Sequence, residues 1–153
     1  MNQARVGALL SCAVLLAGCA TGVPRNSAGQ VTAPASMNPY QLQLGDCTGP
    51  LKDGDVGSLQ VLPCDSAHHF EAFATTDLDA AAHPGDSEVT KKANTYCTAQ
   101  FKTFVGIAAD DSAYKMLYLY PTEESWATGD RAIMCLAGSD AGKITGSLRG
   151  VKK

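Results

Sequence analysis

The side chain with the most specific chemistry is Cys19, which follows Leu16-Ala17-Gly18 in the pattern of a bacterial lipobox. Its thiol is the natural acceptor for a diacylglyceryl group. Arg5 and the apolar run at 6–17 have the form of a secretory signal, and that run is shorter than the roughly 20 residues of a membrane-spanning helix. We therefore predict a lipoprotein signal peptide at 1–18 and an anchor on the extracytoplasmic face of the membrane. The alternative is an ordinary signal peptide that places no lipid on Cys19.

Four cysteines remain once Cys12 leaves with the signal and Cys19 carries lipid, and they are Cys47, Cys64, Cys97 and Cys135. In an oxidising compartment an even number of cysteines in a small domain indicates disulfides. Of three pairings we favour Cys47–Cys64, whose members end neighbouring strand candidates, and this leaves Cys97–Cys135.

A metal site is the competing use of these residue types. Cys64, His68 and His69 are potential ligands, but a matching second pair at zinc-like spacing is missing. Cys-x-x-Cys, the spacing typical of redox sites, does not occur either. We expect neither a metal nor another cofactor.

The histidines beside Glu71 are the one candidate cluster for proton transfer. Gly-x-Ser-x-Gly, His-Glu-x-x-His and a phosphate-binding glycine loop are absent from the sequence. We therefore expect no enzyme, and interpret His68 and His69 as the polar start of a strand.

A second candidate group is Trp126 with Asp130 and Arg131. Tryptophan and arginine are frequent anchors at interfaces. In the alternative interpretation Trp126 packs in the core and Arg131 pairs with Glu71 or Asp130. Together with His68, these residues form the candidate binding surface.

Length and charge limit the class of protein. The 153 residues allow one domain, and 12 basic against 15 acidic residues leave no cationic surface for nucleic acid. Residues 20–38 (ATGVPRNSAGQVTAPASMN) have no apolar period, so we predict a lipidated cysteine and flexible tether at 19–39, followed by one domain at 40–150.

Periodicity within that domain predicts its elements. Strand-like alternation occurs at 40–44, 58–62, 69–76, 114–120, 131–137 and 144–149. An apolar stripe from Val89 to Val105, followed by Gly106, predicts a helix that Asp86 or Ser87 caps at its start. Residues 121–126 resemble a short helical turn. We predict an α+β fold in which one main helix packs on a mostly antiparallel sheet of five or six strands, linked by disulfides.

Read in order, several motifs resemble the septum formation domain family of actinobacterial envelope chains. They are Gly45-Asp46-Cys47, Val61-Leu62-Pro63-Cys64, the run from Ala67 to Phe73, Cys97, the stretch from Tyr120 to Arg131, Cys135 and Gly146-Ser147-Leu148. The resemblance implies an envelope protein connected with septum formation and cell division. It supplies neither catalytic residues nor a cofactor.

Two functions follow as hypotheses. In the first, a lipid-anchored, non-catalytic domain binds another envelope protein or a cell-wall component. In the second, a small ligand or wall fragment binds near His68, Glu71 and Arg131. The tyrosines at 114, 118 and 120 are expected to be core or half-core, although an exposed tyrosine row would also dock a partner.

The lipidation prediction is tested with Cys19→Ser, which removes the thiol that accepts the lipid. We expect the wild-type chain in the membrane fraction of cells and the variant in the exported soluble fraction, because the anchor depends on buried acyl chains. Cys12→Ser is the matched control and should leave the membrane fraction unchanged. Equal membrane retention of the Cys19 variant would contradict lipid anchoring.

Overall fold

A computed structural model describes residues 22–51 and 57–153, so the predicted signal peptide and Cys19 lie outside the described residues. The strands are β1 (Ala35–Met37), β2 (Cys47–Thr48), β3 (Leu59–Leu62), β4 (Phe70–Asp77), β5 (Lys115–Leu119) and β6 (Ala132–Gly138), and the helices are α1 (Asp86–Val105) and α2 (Glu123–Ala127). They form one antiparallel sheet in the order β1-β3-β2-β4-β6-β5. The predicted α+β fold is confirmed. In the part of the chain described, no helix is both long and apolar enough to cross a membrane.

Helix α1 forms because its apolar residues recur on one face. Val89, Cys97 and Phe101 are fully buried, whereas Lys91 and Lys92 face solvent. The helix ends at Gly106, whose φ of 96° is in the left-handed region and whose N–H donates to Lys102 O.

The start of α1 differs slightly from the sequence prediction. Gly85 occupies the N-cap position without a side-chain cap, and Asp86 lies in the first turn with Glu88. The negative charges of these carboxylates interact favourably with the positive end of the helix dipole. They therefore stabilise the helix without capping it.

Two disulfides cross-link the domain, and both predicted pairings are confirmed. Cys97–Cys135 joins α1 to the middle of β6, and both residues are fully buried. Cys47–Cys64 joins β2 to the chain just after β3. Loop-closure entropy gives about 3 kcal/mol for the shorter loop and about 4 kcal/mol for the longer one.

The sheet buries apolar residues on both faces, and β4 contributes to each. Phe70 and Ala72 pack in a cluster with residues of β1, β3 and β6, whereas Phe73 and Ala74 pack under α1. The alternation changes at a register shift between Ala72 and Ala74. In a regular strand neighbouring residues face opposite sides, and the extra residue at this irregularity instead directs two consecutive residues, Phe73 and Ala74, toward α1.

The prediction that residues 20–38 form a flexible tether is wrong for the described part of that segment. Ala35 pairs with Val61 across β1 and β3, and Val31 is buried in the core. Arg25 donates from both terminal nitrogens to the carboxylate of Asp46, at 2.6 and 2.8 Å. These contacts are tertiary, so local composition could not reveal them. Ordered structure therefore begins well before the predicted boundary at residue 40.

Two of the predicted strands are also absent from the sheet. The alternating segment at 40–44 starts with a 3-10 turn, Pro39–Gln41, which Asn38 caps through its side chain. Residues 144–149 make only an isolated bridge between Ile144 and His68, because Ser147 and Leu148 donate to a buried carboxylate described below and the Gly146 N–H donates to Cys64 O. The sheet instead includes β1 and β2, two short strands that the sequence did not predict.

The Arg25–Asp46 pair explains why the N-terminal segment is ordered. The hydrogen bond between the two side chains raises the pKa of Arg25. Burial lowers this pKa and offsets part of the rise, and the guanidinium stays charged. Asp46 is 3% exposed and also accepts from the backbone N–H of Gln43 at 2.8 Å. A buried carboxylate without a partner is costly, so this pair should contribute to stability.

We predict that Arg25→Ala lowers the free energy of unfolding by about 2 kcal/mol, because Asp46 then lacks its cation. Arg25→Lys should recover part of the loss, since one ammonium cannot reproduce the two-point contact. Urea denaturation provides the measurement, with Lys91→Ala, an exposed cation of α1, as control. An Arg25→Ala value equal to that of the control would show that the pair does not hold the segment.

Candidate functional site

The residues of the predicted binding surface lie at two separate ends of β4. Glu71 pairs with Ala137 near the start of β4, whereas Leu78, just after its end, donates its N–H to Arg131 O. About six residues of extended chain separate the two ends, or about 20 Å. The predicted grouping of His68, Glu71 and Arg131 is therefore wrong, because the length of the strand keeps them apart.

Glu71 fastens the C-terminal segment to the sheet. Its side chain accepts from Ser147 Oγ and from the backbone N–H of Leu148, each at 2.7 Å, and the residue is 5% exposed. Gly146 has a φ of 80° and donates its N–H to Cys64 O, which turns the chain toward the carboxylate. The Gly146-Ser147-Leu148 motif thus supplies hydrogen-bond donors to a buried acid, and the expected pairing of Arg131 with Glu71 does not form.

His68 is also an internal residue, with 1% exposure. Its ring Nδ1 lies 2.9 Å from Ser66 O, which favours the tautomer with the proton on Nδ1. Nε2 has no hydrogen-bond partner among the described residues. Its backbone bridges Ile144 in both directions, so His68 joins the start of β4 to the C-terminal segment. Cys64, the proposed metal-ligand neighbour, is engaged in a disulfide.

The distinctive stretch from Thr122 to Asp130 builds a self-contained helical turn. Thr122 and Ser125 form a reciprocal capping box at the start of α2. Ser125 Oγ donates to one carboxylate oxygen of Asp130 at 2.9 Å, and the other oxygen accepts from the N–H of Ala132 at 3.1 Å. Gly129, with a φ of 101°, completes the turn. The spacing of this motif is thus explained by local hydrogen bonding.

Trp126 is held between a cation and a histidine. The Arg131 guanidinium carbon lies 3.7 Å from the centroid of the indole ring, and the His83 ring meets that indole edge-on at 5.4 Å. Arg131 also donates to the carbonyls of Trp126 and Asp130. Trp126 is 7% exposed and belongs to the core under α1, so it packs as the alternative interpretation expected.

Sequence reasoning missed the part that His83 plays in this group. Its Nε2 lies 3.1 Å from Pro121 O, and its Nδ1 accepts from the N–H of Gly85 at 3.2 Å. The Pro84-Gly85 pair after His83 is typical of a turn. A histidine at that turn was the one available signal, but nothing in the sequence placed it beside Trp126.

A separate groove of about 590 Å³ lies between α1 and β5. Its polar lining includes Asn94 and Thr98 from the helix, with Asp110, Ser112 and Lys115 from the opposite side. None of the residues predicted for the binding surface lines it. The groove is therefore a second place at which a ligand could meet the domain.

The fold is a disulfide-linked α+β domain in which the motif residues hold irregular segments on the sheet. The chain belongs to the septum formation family, whose sequence profile matches residues 9–149, and this membership suggests a role related to septum formation. No curated protein matches the chain, and no solved structure does so.

We predict that Glu71→Ala releases the C-terminal segment, because Ser147 and Leu148 lose their common acceptor. The free energy of unfolding should fall by about 3 kcal/mol, and the Leu148 amide should exchange at least about tenfold faster. Glu71→Gln retains one oxygen and should be intermediate. Hydrogen exchange by NMR measures the effect, with the exposed Asp79→Ala as control. Unchanged protection of Leu148 in Glu71→Ala would refute this contact.

Proposed function

We propose that the protein is a lipoprotein anchored on the extracytoplasmic face of the bacterial membrane. Its domain binds another envelope protein or a cell-wall component during septum formation. Family membership supports the connection with septum formation, and the Leu16-Ala17-Gly18-Cys19 motif supports the anchor. The domain acts by binding and does not catalyse a reaction.

The observation that carries a binding function is the internal engagement of the polar side chains that catalysis would use. Glu71 holds the C-terminal segment, His68 is 1% exposed, and Arg131 lies on Trp126. A general acid or base must come within hydrogen-bond reach of a substrate proton. Glu71 and His68 are buried, and the charged groups of Glu71 and Arg131 are engaged by hydrogen-bond partners within the domain, which favours recognition through the surface.

The edge of the sheet at β5 is the best-suited contact surface. This strand is the last in the sheet order, and edge strands present unpaired backbone groups that can pair with a partner strand. Tyr118 and Tyr120 are half-buried beside one another, with ring centroids 6.0 Å apart. Tyrosine is enriched in protein interfaces. We therefore assign partner binding to β5 with Tyr118 and to the adjacent Tyr120.

A wall fragment is the second candidate for what the domain binds. The groove between α1 and β5 adjoins the same strand and is lined by amide, hydroxyl and carboxylate groups. Such groups suit a polar saccharide or peptide. A ligand in this groove would bind away from His68, Glu71 and Arg131, which do not line it.

A photoreactive phenylalanine derivative at Tyr118 tests the β5 assignment in intact cells. We expect a discrete adduct of fixed mass from that position, because a specific partner lies against a defined surface. Lys91, exposed on α1, is the control position and should give only background labelling. Identical labelling patterns at the two positions would contradict binding at β5.

The same experiment separates the two classes of partner. A protein partner gives an adduct whose mass wall hydrolase leaves unchanged, whereas attachment to wall material gives an adduct whose mass wall hydrolase reduces. For a fragment in the groove, NMR titration with soluble wall fragments should shift the amides of Asn94 and Thr98. Unchanged spectra would exclude that occupant.

A further inference from the structure

The position of the N-terminal segment limits how far the domain can stand from its anchor. Val23 packs against the core cluster beneath β1 and β3, and Arg25 is fixed to Asp46. The Thr32 N–H donates to Pro24 O at 2.9 Å, which closes this segment on itself. Only three residues separate Cys19 from Val23. Even fully extended, the chain between them reaches at most about 14 Å.

The largest exposed apolar side chains lie close to this fixed segment. Within the described residues, Tyr40 and Leu44 are the large hydrophobic residues that are strongly exposed, at 58% and 57%. Leu42, between them, is buried, so the loop is held in place with its neighbours directed outward. This loop joins the N-terminal segment at Asp46, whose carboxylate accepts from Gln43 N–H and from Arg25.

We propose that Tyr40 and Leu44 form a membrane-contact surface that rests on the lipid bilayer. The proposal depends on lipidation of Cys19 under the proposed function. With so short a connection, the loop of residues 40–44 is confined within a few nanometres of the headgroups, and its effective concentration there is high. Tyrosine favours the boundary between headgroups and acyl chains, and leucine favours the acyl side.

The contact is apolar rather than electrostatic. Arg25 and Asp46 neutralise each other, and the loop from Tyr40 to Leu44 carries no charged side chain. Recognition of anionic headgroups needs a cluster of basic residues, which this loop does not provide. The contact should therefore be the same on zwitterionic and anionic bilayers. An anchored domain held by this surface has a fixed orientation, so that β5 meets partners from a defined direction.

Tryptophan quenching by brominated lipids tests the contact directly. The full-length lipidated chain carrying Tyr40→Trp or Leu44→Trp is reconstituted in phosphatidylcholine vesicles, with and without bromines on the acyl chains. We expect bromination to reduce the added emission by about a third or more, because quenching requires contact with the acyl region. Lys92→Trp, exposed on α1, is the matched control and should be unaffected. The native Trp126, covered by Arg131, supplies a constant background.

The outcomes separate this inference from the proposed function. Intact mass of the wild-type chain reports whether Cys19 carries lipid. A lipidated chain whose Tyr40→Trp and Leu44→Trp variants are quenched no more than Lys92→Trp overturns the membrane contact and leaves anchoring in place. A wild-type chain without lipid overturns both. Quenching that requires phosphatidylglycerol overturns the apolar contact in favour of headgroup recognition. Both substituted positions are exposed, so the variants should fold, as circular dichroism will verify.

Discussion

A carboxylate that is removed from water must receive hydrogen bonds, and two such carboxylates organise this domain. Asp46 lies just before β2, Glu71 lies on β4, and these strands pair where Cys47 opposes Glu71. Asp46 takes its donors from the N-terminal segment, and Glu71 takes its donors from the C-terminal segment. Because an unsatisfied buried acid is costly, two segments with little regular structure are held on the same region of the sheet.

This arrangement bears on function because it joins the N- and C-terminal segments that the structure describes to the core of the domain. The Cys97–Cys135 disulfide joins α1 to the sheet. The hydrogen bonds to Asp46 and Glu71 hold the N- and C-terminal segments, which have little regular structure. The short stretch of chain between Val23 and the proposed anchor limits the distance of the domain from the membrane. Binding through the β5 edge is consistent with this arrangement, since a partner would approach a surface of constant geometry.

The elements that sequence predicted well are those whose signal is local. The stripe of α1, the glycine at its end and strands β3 to β6 follow from periodicity, because each element buries one or two continuous faces. Both disulfides followed from the positions of cysteines beside predicted elements. The sequence of 144–149 favours a strand, but Ser147 and Leu148 donate to the side chain of Glu71 and do not pair with a neighbouring strand.

The features that sequence missed depend on partners distant in the chain. The N-terminal segment is rich in small and polar residues, which is typical of a flexible tether. Its order depends on the contact between Arg25 and Asp46, which lie 21 positions apart in the sequence. The predicted binding residues do not lie together, because the extended length of β4 separates Glu71 from Arg131. Trp126 packs in the core, as one of the two interpretations expected. His83 was missed because its contact with Trp126 is purely tertiary.

The most direct measurement of the central claim is hydrogen exchange at the Thr32 amide, which donates to Pro24 O within the N-terminal segment. If this segment is part of the folded domain, the amide should exchange at least about 100-fold more slowly than in an unstructured peptide. Exchange at the rate of an unstructured peptide would show a free tether, and would contradict the account in which the anchor and the domain are closely joined.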